Sequence, residues 1–205
     1  MSAQTPRRIV LATRNPHKVR ELRRILADAG VTGIDLVSLV DIPDAPHVAE
    51  TGLTFVENAV LKATAIAAAT GLPAIADDSG LSVDVLGGMP GVFSARWTGR
   101  HGDDLANLEL LLGQLADVTD GRRTATFVCA AALAVPDRPV IVEEGRVSGR
   151  LIREPRGTNG FGYDPIFVPD AETRTTAELP SADKDAISHR GRAFRALAPH
   201  VRKLA

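Results

Sequence analysis

Leu72–Gly91 reads LPAIADDSGLSVDVLGGMPG. A short apolar run, Ala74-Ile75-Ala76, ends in Asp77 and Asp78, and Ser79-Gly80 follow. The pattern predicts a buried strand that delivers two carboxylates to its C-terminal edge, with Gly80 turning the chain away. Open α/β sheets bind ligands at the carboxyl ends of their strands. Neighbouring strand residues point to opposite faces, so only one of the two acids can aim squarely into a given cleft. The alternative is structural: one Asp bonds the turn backbone and the other is solvated.

Upstream of this strand, Thr54 and Glu57 form a T-x-x-E capping box that opens a helix running to about Thr70. Gly71 and Pro73 supply its stop signals. Asn58 and Lys62 share one face of that helix, and Glu50 precedes it. Earlier still, Arg8–Ala12 reads as a strand and Ile34–Ser38 as a second one. Between them lie the polar loop Thr13-Arg14-Asn15-Pro16-His17-Lys18 and an amphipathic helix with Val19, Leu22, Ile25, Leu26 and Ala29 on one face, ended by Gly30. A strand, loop and helix in that order offer free N–H groups and a positive dipole end to an anion. Lys18 stands in the first helical turn, where a cation is unfavourable. A bound polyphosphate would supply its partner, and a solvated lysine is the alternative. No GxxxxGK[ST] is present, so this is not a Walker loop.

Downstream, Leu81–Val85 reads as a strand and Gly87–Gly91 as a flexible turn. Asp103 or Asp104 caps a helix through Leu115. Thr124–Val135 and Pro139–Gly145 form a long hairpin around Pro136-Asp137-Arg138, with Val147–Ile152 extending it. Residues 157–163 hold three glycines and two aromatics, an exposed backbone with rings suited to a flat base. The alternative is a turn whose rings plug the core. Ser188 caps a final helix whose Phe194, Leu197, Val201 and Leu204 form a core stripe, with His189 and Arg190 at its start.

Composition narrows the class. The 205 residues are 44% hydrophobic and 24% charged, as in a soluble globular protein. A net charge of -1 excludes a duplex-coating or polybasic membrane-binding protein, so neither nucleic acid nor membrane is an expected partner. The single cysteine, Cys129, lies in an apolar run and reads as a core residue. No apolar run of transmembrane length and no signal-peptide core is visible, which predicts a cytoplasmic protein. Of 24 basic residues only Lys18, Lys62, Lys184 and Lys203 are lysine. A chain that otherwise uses Arg can keep Lys where a compact point charge meets phosphate oxygens.

The segments LATRNPHKVREL, ETGLTFVENAVLKA, AIADDSGLSVDVLGGMPGVFSARW, GFGYDPIF and KDAISHRGRA follow one another in the order found in the inosine triphosphate pyrophosphatase family, which the chain resembles along nearly its whole length. Three of the four lysines fall inside them. The resemblance implies a single α/β domain spanning residues 1–205, with an elongated mixed β-sheet, flanking helices, and two lobes around a central active-site cleft. It also implies a homodimer. The implied activity is Mg²⁺-dependent hydrolysis of non-standard purine nucleoside triphosphates (dITP, ITP, XTP) to the monophosphate and pyrophosphate, which cleanses the nucleotide pool.

Carried over residue by residue, Thr13, Arg14, Asn15, Pro16, His17 and Lys18 hold the phosphates, with Lys62 in support. Glu50 and Asp78 serve the metal, Asp78 is the general base, and Ser79 touches substrate. Phe161, Gly162, Tyr163, Asp164, Lys184, His189 and Arg190 contain the nucleoside. The chemistry is consistent: a triphosphate carries about four negative charges, so carboxylates approach it only with a divalent cation between. A phosphoribosyltransferase also ends an apolar strand in paired acids, but SGLSVDVLGG is not its glycine- and threonine-rich phosphate loop. A non-catalytic Mg–nucleotide-binding module is the other alternative.

Overall fold

The computed structural model describes residues 6–205, without the side chain of His17. Six strands form one mixed sheet in the order β2-β1-β3-β4-β5-β6. They are β1 (Arg7–Leu11), β2 (Ile34–Ser38), β3 (Ala74–Val83), β4 (Thr124–Ala134), β5 (Ile141–Leu151) and β6 (Phe167–Pro169). β1 is parallel to both β2 and β3, and β5 is antiparallel to β6. The flanking helices are α1 (Pro16–Asp28), α2 (Phe55–Thr70), α3 (Asp104–Gln114), α4 (Ser181–Ile187) and α5 (His189–Arg202). No helix among the described residues is long and apolar enough to cross a membrane.

The chain divides into two compact units. The first runs up to Asp78 and takes in Ala130–Gly145 and Arg190–Ala205. Its core on one sheet face is made of small residues. Ala59, Ala63, Ile66 and Ala67 of α2 lie against Val10, Ala74, Ala76, Ala130 and Ala132. Alanine on both sides lets a helix approach a sheet closely, which explains the alanine-rich sequence of α2. Ile9 and Leu11, which alternate with Val10 on β1, are also fully buried, as are Leu22 and Leu26 of α1 and Phe194 and Leu197 of α5.

The second unit comprises Ser79–Cys129 and Arg146–His189. Its core joins Leu81 and Val83 of β3, Leu108 and Leu111 of α3, Phe127, Val147, Leu151 and Phe167. The C-terminal end of α3 is held by two guanidiniums. Fully buried Arg123 donates to the Leu115, Leu151 and Ile152 carbonyls, and Arg153 donates to those of Ala116 and Val118. Cations at a helix C-terminus satisfy its orphan carbonyls and its dipole.

One local expectation changes. Gly80 does not turn the chain: β3 continues through it to Val83. Its φ is not positive, but a Cβ there would lie 2.4 Å from Ser94 Oγ and 2.6 Å from the Gly91 carbonyl oxygen. Close approach, rather than a bend, is what requires glycine. Val147–Ile152 does extend the segment before it: β5 runs unbroken through Gly145 to Leu151. Ser188 stands in extended backbone directly before α5, as expected of a cap, and the short helix α4 precedes it.

Candidate active site

The middle of β3, rather than its C-terminal edge, carries the two acids and places them in two separate networks, both within the first unit. Asp77 belongs with α1 and α5. Its Oδ2 accepts from Lys18 Nζ at 2.8 Å and from Arg190 Nε at 3.4 Å. Arg190 Nη1 in turn donates to Glu21 Oε2 at 2.7 Å. Asp78 belongs with α2. Its Oδ2 accepts from Asn58 Nδ2 at 3.0 Å, and its Oδ1 lies 3.4 Å from Lys62 Nζ. Lys62 Nζ also donates to Glu50 Oε1 at 2.6 Å. The alternation of a strand separates neighbouring acids in this way.

Each position follows from local sequence. Asn15 Oδ1 accepts the Lys18 backbone N–H, and Asn15 supplies the first helical carbonyl of α1, to Val19. Pro16 occupies the first helical position, where its missing N–H costs nothing. Thr13 Oγ1 accepts the Asn15 N–H and stiffens the loop, while Arg14 donates to the Ala45 carbonyl at 2.7 Å. Thr54 caps α2 through the Glu57 N–H, and the Glu57 carboxylate reaches back to the Leu53 N–H. Asn58, fully buried one turn into α2, accepts the Gly52 N–H with its other end. A Cβ at Gly52 would lie 2.8 Å from Asn58 Oδ1, so glycine permits that bond. Asn58 therefore ties the Glu50–Gly52 segment to Asp78.

Electrostatics differ between the two acids. Burial alone would raise the Asp77 carboxyl, but Lys18, Arg190 and Lys62 outweigh it and hold the group well below the ordinary carboxylate range. For Asp78 burial prevails. Lys62 opposes it, the Glu50 charge adds to it, and the carboxyl is raised. Burial would lower Lys62, yet Asp78, Asp77 and Glu50 outweigh it and the ammonium is held more tightly than usual. Glu21, Glu50, Asp77 and Asp78 are paired with Lys18, Lys62 and Arg190.

The carboxylate donors suit a hard divalent cation. Glu50 and Asp78 already converge on one cation, the Lys62 ammonium. Among the described residues, no three His, Cys, Asp or Glu side chains are grouped to hold a metal by themselves. Mg²⁺ is commonly held by one or two carboxylates, completed by water and substrate phosphates, which is the set that Glu50 and Asp78 can provide.

The second unit carries the glycine-rich loop. Asp164 is buried. Its Oδ2 accepts from the Phe161 N–H at 2.8 Å and from Lys184 Nζ at 2.5 Å, and its Oδ1 accepts from Thr176 Oγ1 at 2.8 Å. Lys184 Nζ stands 5.3 Å from the Phe161 ring centroid. The Gly162 N–H donates to Asp104. Gly160 has a φ of +78°, and a Cβ there would collide with the Asp164 carboxylate. The two rings expected at a base separate. Phe161 is half-buried, whereas the Tyr163 side chain is a core residue whose hydroxyl donates to the Ser94 carbonyl at 3.0 Å. Tyr163 is therefore not a stacking platform. Asp164 has both carboxylate oxygens engaged within the protein, so its side chain shapes the loop. His189 is buried and stacked on Phe127 at 4.8 Å. Ser79 follows Asp78 on β3 and is half-buried. The His17 side chain lies outside what the structure describes.

In the first unit the structure thus brings Lys18 with Arg190, and Glu50 and Lys62 with Asp78, whereas in the second it groups Phe161, Asp164 and Lys184 and sets Tyr163 and His189 among other partners. It adds Glu21, Asn58 and Asp77 to the first. The shared helical face with Lys62 is the signal for Asn58, whereas only a folded chain links Glu21 and Asp77 to Arg190.

The profile of the Ham1 family matches residues 9–200. A dITP/XTP pyrophosphatase of Streptomyces avermitilis is 64% identical over 96% of this chain and 98% of its own. The crystal structure of a nucleoside-triphosphatase, dITP/XTP pyrophosphatase, from Mycobacterium abscessus superposes with a TM-score of 0.77 at 56% identity, covering 95% of this chain and 100% of that one. The structure of a HAM1 protein from Coxiella burnetii superposes with a TM-score of 0.86 at 42% identity, covering 96% and 99%.

Proposed function

The chain belongs to the Ham1 family, and on that premise we propose that it hydrolyses the non-standard purine nucleoside triphosphates dITP, ITP and XTP to the monophosphate and pyrophosphate. The observation that carries this reading is the nearly full-length identity to proteins named dITP/XTP pyrophosphatase.

In this reaction water attacks the α-phosphorus, the bond to the bridging oxygen breaks, and pyrophosphate leaves. Asp78 takes the proton of the attacking water. Before Mg²⁺ binds, burial raises its carboxyl above the ordinary value. Asn58 and Lys62 hold the carboxylate in place. Lys18 and Lys62 neutralise charge on the departing pyrophosphate, and the N–H groups that open α1 receive phosphate oxygens. Glu50 and Asp78 hold Mg²⁺, which supplies the positive charge that lets carboxylates and phosphates share one site.

Phe161, Lys184, His189 and Arg190 are the proposed nucleoside contacts, on the ground of the family resemblance. Hypoxanthine and xanthine carry an acceptor oxygen at C6, where adenine carries an amino group. Donors aimed there pair with the first two and oppose the third. An unpaired buried donor costs about 1–3 kcal/mol, so two suffice for roughly 10²-fold or more against ATP. The working form is a cytoplasmic homodimer.

The test is release of pyrophosphate and monophosphate from a panel of triphosphates, with Mg²⁺ and with chelator. The expected order of kcat/KM is ITP and XTP, then GTP, then ATP, with no turnover in chelator. Equal hydrolysis of ATP and ITP contradicts the C6 account, and full activity in chelator contradicts the metal. Light scattering at micromolar concentration should give twice the mass of one chain.

A further inference from the structure

The mechanism above employs Asp78 and gives Asp77 no task. Yet Asp77 is the more deeply connected of the two. It is 4% exposed, and two cations from different helices meet at its Oδ2. Lys18 and Glu21 lie one turn apart on α1, and Arg190 lies in the first turn of α5. The chain Lys18–Asp77–Arg190–Glu21 therefore joins the middle of β3 to two helices through three ion pairs. An oxygen shared by two cations is poorly disposed to take a metal ion as well.

We propose that Asp77 is a positioning residue that sets Lys18 and Arg190 jointly, so that one buried carboxylate orients a phosphate contact and a nucleoside contact together. This rests on the functional reading given above for Lys18 and Arg190. The physical ground is preorganisation. A lysine in the first turn of a helix is repelled by the dipole, and its four-carbon stem is flexible. Held by Asp77, the ammonium is already placed when phosphate arrives, and its freedom is not lost again on binding. Without the carboxylate charge, Lys18 and Arg190 are like charges on either side of a neutral group, and they repel one another out of position. The substrate therefore loses its phosphate contact and its nucleoside contact at once.

Asp77→Asn keeps the shape and removes the charge. It should lower kcat/KM for ITP by roughly 10- to 100-fold, the range for a lost hydrogen bond to a charged group. It should also shrink the ITP-to-ATP preference at least threefold, while the Mg²⁺ concentration giving half-maximal rate stays unchanged. Asp77→Glu should restore part of both. A lower melting temperature with unchanged selectivity and KM makes Asp77 merely structural and overturns the proposal. A shifted Mg²⁺ requirement makes it a metal ligand and overturns it as well. Should Asp77→Asn fail to fold, Lys18→Gln, Arg190→Gln and their double variant form a cycle. A coupling of about threefold or more in kcat/KM is expected, and additivity, the behaviour of independent sites, overturns the proposal. Wild-type enzyme that releases no pyrophosphate from ITP overturns the functional reading and this inference with it. Wild type that does, beside an Asp77→Asn variant of unchanged preference, overturns the inference alone.

Discussion

Replacing Asp78 separates shape from charge at the proposed base. Asp78→Asn can still accept from Asn58 but cannot take a proton, so turnover should fall by at least about 10²-fold with little change in melting temperature. Pyrophosphate release and a thermal melt read the two effects. The lysines give a second test. Lys18, Lys62 and Lys184 each pair with a carboxylate, and Lys203 is exposed. Lys18→Ala and Lys62→Ala should each lower kcat/KM for ITP by about tenfold or more, and Lys203→Ala should leave it unchanged. These lysines were legible in the sequence because lysine is scarce in an arginine-rich chain. The division of labour between Asp77 and Asp78 was only half legible. Alternation says that they part, but the partners that decide their roles come from α1, α2 and α5, and strand parity does not name them.

At the scale of elements, β3 and the loop after β5 show where local rules stop. A glycine inside a strand marks a bulge, a bend or a close approach, and sequence alone does not choose among them. At Gly80 the choice is made by Ser94, whose Oγ accepts the Leu81 N–H at 2.9 Å and donates to the Gly91 carbonyl at 2.6 Å. Gly80→Ala should therefore destabilise the protein by about 1–3 kcal/mol, read as a lower urea midpoint. In the loop, glycines and rings were visible but their division was not, because Tyr163 is drawn into a core assembled from β3, α3, β4 and β5. Its phenol is pushed up, first by burial and then by the Asp104 charge. Below the ordinary tyrosine value of about 10 both folded and unfolded chains keep the proton, and Tyr163 adds no pH dependence. Above it the unfolded chain ionises first and binds fewer protons, so stability falls as pH rises toward the folded value. Tyr163 is the sole tyrosine, so tyrosinate absorbance reports it alone. It should stay silent at pH values where denatured protein is fully ionised, and Tyr163→Phe should flatten the alkaline decline in stability. The short helix α4 escaped notice because it has no side-chain cap to announce it.

At the scale of the whole molecule, neither unit is a continuous stretch of chain, and β3, β4 and β5 each run from one into the other. Two-state unfolding is the expectation for such an arrangement. Fluorescence of Trp97, the only tryptophan and a residue of the second unit, should follow the same thermal transition as far-UV circular dichroism of the whole chain. Two separated transitions would contradict it. The α/β class and the order of elements as far as β5 could be read from the sequence, since longer strands and helices announce themselves over ten residues or so, whereas β6 and α4 are too short to do so. The interleaving could not, since it depends on contacts between distant segments. One such contact sets a clock. Asp77 and Arg190 are 113 residues apart. A ribosome adding about 5–20 residues per second makes the carboxylate roughly 6–23 s before its arginine exists. A nascent chain of that age already carries Lys18, Glu50, Lys62 and Asp78, yet its Lys18–Asp77 pair still lacks the link to α5. The network is complete only once α5 has been made, so a chain stalled before Arg190 leaves the ribosome without the arginine that closes it.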